Sequence, residues 1–237
     1  LFYGTIQSAL FTLLAVYATS MNFTILEISI VTFLLAVSGA IAQFPIGKLS
    51  DVYDRRKVIV FSTFGAAIFS IFAILVSRQM YLPGGLATSK TWFYIFFILF
   101  SFCSLPMFSL ILAHTNDYIS KDKFVAAGAG LQFAFGLGAM SGPFLCSIFM
   151  DLVGSNGFFV FLFFFHCIIG FFGIYRMKVR QTVDNPDSQF VAMPQTITPA
   201  GIELNPTTEH IEEPYSDKVK EILERKGVKY KKDEVQT

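Results

Sequence analysis

The densest charge cluster in the first 175 residues is Gly47-Lys48-Leu49-Ser50-Asp51-Val52-Tyr53-Asp54-Arg55-Arg56-Lys57. The stretches on either side of it, residues 28–46 and 58–76, carry no charged side chain. Each stretch has about 19 residues, and at a rise of about 1.5 Å per residue each matches a hydrocarbon core of about 30 Å. The sequence therefore predicts two transmembrane helices joined by a short charged loop, and the basic residues of that loop place it on the cytoplasmic side.

The composition extends this membrane interpretation to most of the chain. Hydrophobic residues make up 54% of the 237 residues and charged residues only 15%, whereas soluble domains carry about 25% charged residues. Half of the basic residues and most of the acidic ones follow Met177, so a soluble tail is expected there. The three cysteines lie inside apolar runs, which argues against a disulfide framework, a metal site or a metal cofactor.

Six spans are predicted, and with them an all-α membrane protein. They cover approximately residues 1–18, 26–46, 58–76, 92–114, 124–150 and 158–175. The second is expected to end at Pro45 and Gly47, and Pro106 is expected to kink the fourth. Glu27 suits the positive end of the second helix. Because the first residues already lie in an apolar run, the chain is interpreted as a fragment, or as a half whose start is missing.

The charged loop resembles a motif of the major facilitator superfamily of transporters, which have such a loop between their second and third spans and a weaker copy between the eighth and ninth. Two positions depart from the usual form, since Val52 replaces an Arg and Asp54 replaces a Gly. The matching positions are Gly47, Leu49, Asp51, Arg55 and Arg56.

The fifth predicted span supports the same resemblance. Its residues Gly136, Gly138, Gly142 and Pro143 are similar to a glycine-proline signature of an inner helix in that superfamily, and small residues of this kind favour close packing and bending. Together with six spans, the resemblance over residues 1–180 implies one six-helix half of a transporter. The trailing tail suits the C-terminal half, equivalent to helices seven to twelve, as in bacterial inner-membrane members.

The resemblance implies alternating access, in which two six-helix halves rock about a central site for a small-molecule substrate. Asp51 would then latch the cytoplasmic side shut, with Arg55 and Arg56 supplying charge and hydrogen bonds. The alternative is that these charges only fix the orientation of the helices. The N-terminal half and the lipid bilayer are the implied partners, and no cofactor is expected.

A substrate cavity would be lined by the first, second, fourth and fifth spans, although each candidate can also be explained by packing. Gln7 is either an interhelical hydrogen-bonding group or a substrate contact. The candidates are Tyr3, Gln7, Gln43, Phe108, Gln132 and Phe135. His166 is expected to be hydrogen-bonded or to face lipid. If transport is coupled to protons, the titrating carboxylate is expected in the other half.

The basic residues of the loops predict the orientation. Nine lie on the side of the charged loop and two, Arg78 and Lys90, on the other, which places both ends of this chain in the cytoplasm. The nine are Lys48, Arg55, Arg56, Lys57, Lys121, Lys123, Arg176, Lys178 and Arg180. A cell inner-membrane location follows from the resemblance.

The tail is predicted in two parts. Residues 181–214 are rich in Pro, Thr and Asn without periodicity, which predicts a disordered linker. Residues 215–237 contain apolar residues at helical spacing, which predicts one short helix. The basic residues of the chain are loop anchors and the tail has balanced charge, so nucleic-acid binding is not expected.

Two other classes of function were weighed against transport. A membrane-embedded enzyme would need nucleophile-base pairs or metal ligands within the spans, and His114, Asp117 and His166 do not form such a set. A non-transporting scaffold or sensor that acts through its cytoplasmic tail is the stronger alternative, because the tail would permit it.

Overall fold

The structure is a computed structural model that describes residues 1–79, 86–120, 123–179 and 190–193. These residues form seven helices, and the helices make six segments that are long and apolar enough to cross a membrane. The helices are α1 (Phe2–Ser20), α2 (Ile25–Val52), α3 (Arg55–Gln79), α4 (Leu86–Ser104), α5 (Met107–Asn116), α6 (Phe124–Val153) and α7 (Gly157–Val179). The all-α, six-span prediction is confirmed.

The fourth span is broken at Pro106, which confirms the predicted kink. Proline has no N–H to donate and its ring clashes with the preceding turn, so α4 ends at Ser104 and α5 begins at Met107. The Tyr3 hydroxyl of α1 donates to the carbonyl oxygens of Ser104 and Leu105, at 3.2 and 3.1 Å. The two carbonyl groups at the break are thus hydrogen-bonded by a side chain from another helix.

The predicted end of the second span was wrong. Instead of ending at Pro45 and Gly47, α2 continues to Val52 with Pro45 inside it, and α3 already begins at Arg55. A proline inside a helix removes one backbone hydrogen bond, but the turns beyond it re-form, and the Tyr53 N–H donates to the Leu49 carbonyl at 2.9 Å. Most of the charged stretch therefore lies on helix ends, and only Tyr53 and Asp54 connect them.

The start of α2 carries a reciprocal cap, as the position of Glu27 suggested. The Thr24 hydroxyl accepts from the Glu27 N–H at 3.3 Å, and the Glu27 carboxylate accepts from the Thr24 N–H at 2.8 Å. Lys90 forms an ion pair with Glu27 at 2.6 Å and stands 5.0 Å from the centre of the Phe23 ring. We call this end of the bundle the capped end, and the end at which α2 finishes the motif end.

Small residues bring α1 and α6 into backbone contact. A Cβ atom at Gly138 would overlap the backbone of Leu1 and Thr5, and one at Gly142 would overlap Thr5 and Ser8. Gly136 differs, because a Cβ atom there would meet nothing within 4 Å among the described residues. The close packing expected of this glycine series therefore applies to Gly138 and Gly142. Helix α6 runs without interruption through Pro143.

An aromatic cluster fills the space between α1, α4 and α7. The Tyr17 ring stacks on Phe158 with centroids 5.1 Å apart, and Phe159 meets it edge-on at 5.1 Å. Below the cluster, His166 is fully buried with its Nε2 3.0 Å from the Ser104 hydroxyl. His166 is therefore hydrogen-bonded, one of the two expected environments, and it does not face lipid.

The outer helices leave much apolar surface uncovered. Only 28% of the apolar window of α2 and 17% of that of α6 are buried within the described part of the chain. Phe44 on α2 and Met140 on α6 are each 81% exposed. Exposed apolar side chains at this density need either lipid or more protein against them. Of the tail, only Phe190–Met193 is described, so the predicted linker and short helix otherwise lie outside the described residues.

Candidate functional site

Three charged residues from three helices meet at the motif end. Arg55, at the start of α3, donates from Nη2 to Asp51 Oδ1 on α2 at 3.1 Å. Its Nη1 lies 3.2 Å from Asp117 Oδ1, directly after α5. The Arg55 side chain is only 7% exposed, so a charge that is costly to bury is compensated by two carboxylates. We call Asp51, Arg55 and Asp117 the ion triad.

A second pair orders the connection between α2 and α3. The Asp54 carboxylate accepts from the Arg56 backbone N–H at 3.0 Å, as a helix-capping residue does. It also pairs with the Arg56 guanidinium, at 2.9 Å from Nη2. Arg56 is thus tied to the adjacent cap, whereas Arg55 reaches across to other helices.

The remaining motif residues divide into one that is buried and one that is not. Gly47 is buried, and a Cβ atom there would overlap the Phe190 ring. Leu49 is 38% exposed. The structure therefore joins Asp51 and Arg55 directly, whereas Gly47 packs against Phe190 and Leu49 is exposed.

A cavity of about 220 Å³ lies between α1, α2 and α5. Three of the predicted cavity residues, Gln7, Gln43 and Phe108, line it. The other lining residues are mostly small or apolar: Phe11, Ala36, Gly39, Ala40, Leu105, Ser109 and Met193. The walls described here carry no charged side chain, in keeping with the absence of acids and bases deep in these spans.

The other three candidates lie beside this cavity rather than on its wall. The Phe135 ring of α6 is 6.1 Å from Tyr3 and 5.6 Å from Phe108, centroid to centroid. Gln132 is one turn before Phe135, and its Oε1 is buried without a hydrogen-bond partner among the described residues. Phe135 of α6 thus packs against Tyr3 of α1 and Phe108 of α5 beside the cavity.

The Gln7 amide is the least satisfied polar group at the cavity. The side chain is 2% exposed, and neither its Nε2 nor its Oε1 has a hydrogen-bond partner within the described ranges. Of the two sequence-based alternatives, an interhelical hydrogen bond is therefore absent from this part of the chain. An amide so placed can bind a donor, an acceptor, or both.

A larger, open cavity of about 370 Å³ lies at the motif end. Two arginines are part of its lining, which consists of Arg56, His114, Thr115, Tyr118, Ile119 and Arg176. None of the six candidates for the substrate cavity lines it, so the smaller cavity corresponds to the predicted one.

Sequence reasoning missed one contribution to the site, that of Ser109, and left another undecided, that of Asp117. Ser109 lines the cavity through its position on α5 after the Pro106 break, and a single serine in an apolar span gives no signal of that. For Asp117, the sequence left a place in the cytoplasmic gate open, beside the more common capping and interface roles. Its place in the second charged loop, on the same side as Asp51 by the count of spans, was the available signal for an ion pair.

Comparisons with known proteins agree with the architecture. The family model described as Major Facilitator Superfamily matches residues 1–219. An uncharacterized MFS-type transporter of Yersinia enterocolitica is 26% identical over 190 residues, which is 80% of this chain and 44% of that protein. The uncharacterized MFS-type transporter YfkF of Bacillus subtilis is 27% identical over 165 residues, which is 68% of this chain and 38% of that protein.

The similarity extends to an archaeon. An uncharacterized MFS-type transporter of Methanocaldococcus jannaschii is 26% identical over 183 residues, or 75% of this chain and 42% of that protein. The chain thus spans less than half the length of these relatives. No solved structure gives a significant match. With six membrane-competent helices and a family model covering most of its length, this multi-pass membrane protein belongs to the Major Facilitator Superfamily, a family of membrane transporters.

Proposed function

We propose that this chain is the C-terminal six-helix half of a secondary transporter that moves a small solute by alternating access. The observation that carries the proposal is the buried Gln7 amide on the wall of the 220 Å³ cavity. An unsatisfied buried polar group costs roughly 1–3 kcal/mol. A solute, or a group of the opposite half that holds the solute, would recover that free energy by bonding to Gln7.

The ion triad supplies the gate in this proposal. Arg55 joins α3 to α2 through Asp51 and to the end of α5 through Asp117. Because α5 also carries the cavity residues Phe108 and Ser109, the triad connects the motif end to the wall of the substrate site. Opening the motif end would separate the carboxylates from Arg55, and closing it would restore the pairs.

In this proposal the motif end lies on the cytoplasmic side of the inner membrane, because most basic loop residues are on that side. The uncovered faces of α2 and α6 support a second half-bundle and lipid as the partners of this one. The second half would contribute the rest of the site, including the titrating carboxylate if transport is coupled to protons.

A ligand-stabilisation screen of the complete protein in detergent tests the substrate site. Small uncharged solutes are expected to raise the melting temperature. The Gln7→Leu variant is expected to weaken the response to a hit by roughly tenfold in concentration, since one hydrogen bond to a buried amide is worth about that much. The matched control is Gln79→Leu, which makes the same change at an exposed position at the end of α3.

An unchanged response in Gln7→Leu would show that the solute binds elsewhere. If no solute stabilises the protein but a protein partner does so through the tail, the scaffold or sensor alternative replaces the transporter. The tail beyond residue 193 lies outside the described residues, and nothing in the described part of the chain favours that alternative.

The gate has its own test. Asp51→Asn keeps the size of the side chain and removes the charge that pairs with Arg55, so uptake into cells or proteoliposomes is expected to slow while membrane insertion is unchanged. Asp151→Asn makes the same substitution at an exposed position near the end of α6 and serves as the control. Normal uptake by Asp51→Asn would rule out the latch.

A further inference from the structure

The short segment Phe190–Met193 is attached to the bundle at two points. At its start, the Phe190 backbone N–H donates to Asp51 Oδ1 of the ion triad at 2.7 Å. At its end, the Ser109 hydroxyl accepts from the Met193 N–H at 3.1 Å and donates to the Met193 carbonyl at 3.0 Å. The backbone of the segment is therefore held by side chains of both α2 and α5.

The side chains of the segment are packed inward at the same two points. The Phe190 ring lies against Gly47, where any larger residue would collide with it. Met193 is 7% exposed and packs in a cluster with Tyr3, Ile46 and Phe108. Between these anchors, Ala192 is exposed. The segment thus presents apolar side chains to the bundle at both ends and a small residue to the outside.

The segment occupies the route from the motif end to the cavity. Asp51 and Gly47 lie in the last two turns of α2, whereas Met193 is itself part of the cavity wall, with Gln7 and Gln43. The four residues therefore extend from the ion triad down to the cavity. They also use Asp51, the residue that pairs with Arg55, so segment and triad share one carboxylate.

The attachment is small enough to be reversible. It buries Met193, partly buries Phe190 and makes three hydrogen bonds. The stabilisation from these contacts is of the same order as the conformational entropy lost when four backbone residues are ordered. A segment with such a balance can leave its site without disturbing the helices.

We propose that Phe190–Met193 is a tethered plug, which binds in the mouth of the cavity at the motif end and blocks access to it while bound. Only the identity of the cavity as a transport site rests on the proposed function. The binding of the plug can be measured without transport. Release of the plug would remove the Phe190 hydrogen bond from Asp51 and open the mouth of the cavity at the same time.

Cysteine accessibility in the complete protein tests the plug. Cys103, Cys146 and Cys167 are replaced by serine, together with any cysteine of the complete protein outside this chain, and Gln43→Cys provides a single thiol on the cavity wall. A membrane-impermeant maleimide is applied from the motif side of membrane vesicles. Adding Met193→Glu, which places a charge in the buried anchor, is expected to raise the labelling rate by about tenfold, because the rate follows the fraction of molecules with an open mouth.

The matched control is Ala192→Glu, which adds the same charge one residue away at an exposed position. This variant should change the labelling rate by less than about twofold, because substitutions at exposed positions usually have small effects. A second variant, ending the chain after Val179, removes the segment without placing a charge near the bundle and is expected to match Met193→Glu.

Equal labelling rates in the parent, Met193→Glu and the truncated chain would overturn the plug. So would an equal rise in Ala192→Glu, which would assign the effect to charge alone. Either result leaves the proposed function standing if the solute response still depends on Gln7. Conversely, a plug that passes these tests in a protein with no solute response would survive the failure of the transport proposal.

Discussion

The two ends of the bundle both contain ion pairs, but the pairs have different structural roles. At the capped end, Glu27 completes a local cap with Thr24 and reaches Lys90 on α4. At the motif end, Arg55 is enclosed between carboxylates that belong to two other elements, and its exposed fraction is only 7%. The capped end would keep its helix start without Lys90, whereas the motif end has no local substitute for Arg55.

In the proposed transport cycle, this difference favours the motif end as the end that changes. A local cap stabilises one helix whatever its neighbours do. A buried charge shared by three elements stabilises one particular arrangement of them, and it makes intermediate arrangements costly because a carboxylate or guanidinium is then left unpaired. In the proposed transport cycle, the motif end with its shared buried charge therefore suits a gate, and the capped end suits a fixed support.

The largest expected effect is the loss of Arg55. Arg55→Met keeps most of the side-chain volume and leaves Asp51 and Asp117 without their shared cation, so the free energy of unfolding is expected to fall by about 3 kcal/mol. Unfolding of the purified protein in mixed micelles, followed by loss of helical circular dichroism, measures it. Arg78→Met, at the exposed far end of the same helix, should change stability little. Equal losses in both variants would erase the distinction between the ends.

A substitution in the middle of the bundle calibrates the comparison. Gly138→Ala places a methyl group against the backbone of Leu1 and Thr5, so α1 and α6 must separate, at an expected cost of about 2 kcal/mol. Gly136→Ala, two residues away with open space around it, is expected to be neutral or slightly stabilising. The same unfolding assay applies. A loss in Gly136→Ala as large as that in Gly138→Ala would refute the backbone contact.

At the capped end, the cap itself is expected to matter more than the ion pair. Thr24→Ala removes the hydroxyl that accepts from the Glu27 N–H, and a lost cap of this kind costs about 1 kcal/mol. The control is Thr12→Ala, an exposed threonine within α1, because alanine there should be tolerated. Protection of the Glu27 amide from hydrogen exchange would fall in Thr24→Ala alone if the cap is as described.

The smallest expected effect is the loss of Lys90. Lys90→Met should lower the free energy of unfolding by less than about 1 kcal/mol, because Glu27 keeps its cap contacts and partly exposed pairs contribute little. The small loss should shrink further in high salt, which screens the pair. Lys48→Met, at an exposed position on α2, is the matched control. A loss as large as that in Arg55→Met would place a second essential ion pair at the capped end.

The fold was largely predictable because each span is a long apolar run. The break at Pro106 followed from the chemistry of proline. The end of α2 did not, because Pro45 and the charges after it have the composition of a loop, although a helix can tolerate one missing hydrogen bond and extend beyond the apolar region. Sequence composition indicates where a span leaves the hydrocarbon core of the membrane. It does not indicate where the helix itself ends.

The site was predictable only in part, for a geometric reason. Gln7 and Gln43 were identifiable because polar side chains in apolar spans need a partner or a cavity, whereas Phe108 is one of 29 phenylalanines in the chain. The pairing of Arg55 with Asp117 depends on the rotation of α5 after its break, and the seating of Met193 on Ser109 depends on the path of the tail. Both are contacts between segments that are distant in sequence. A tail rich in proline and polar residues gives no indication that four of its residues pack against helices.

The break at Pro106 makes the fourth span two helical arms joined by a hinge, rather than one rigid helix. Its short arm, α5, carries Phe108 on the cavity wall and ends beside Asp117. Turning that arm about the joint would move a cavity wall and an ion partner of Arg55 in one motion, while the long arm stays packed against α3. The Tyr3 hydroxyl is hydrogen-bonded to both carbonyl groups at this hinge and so holds it in place. Because Tyr3 belongs to α1, the angle between α4 and α5 depends on another helix that lines the cavity.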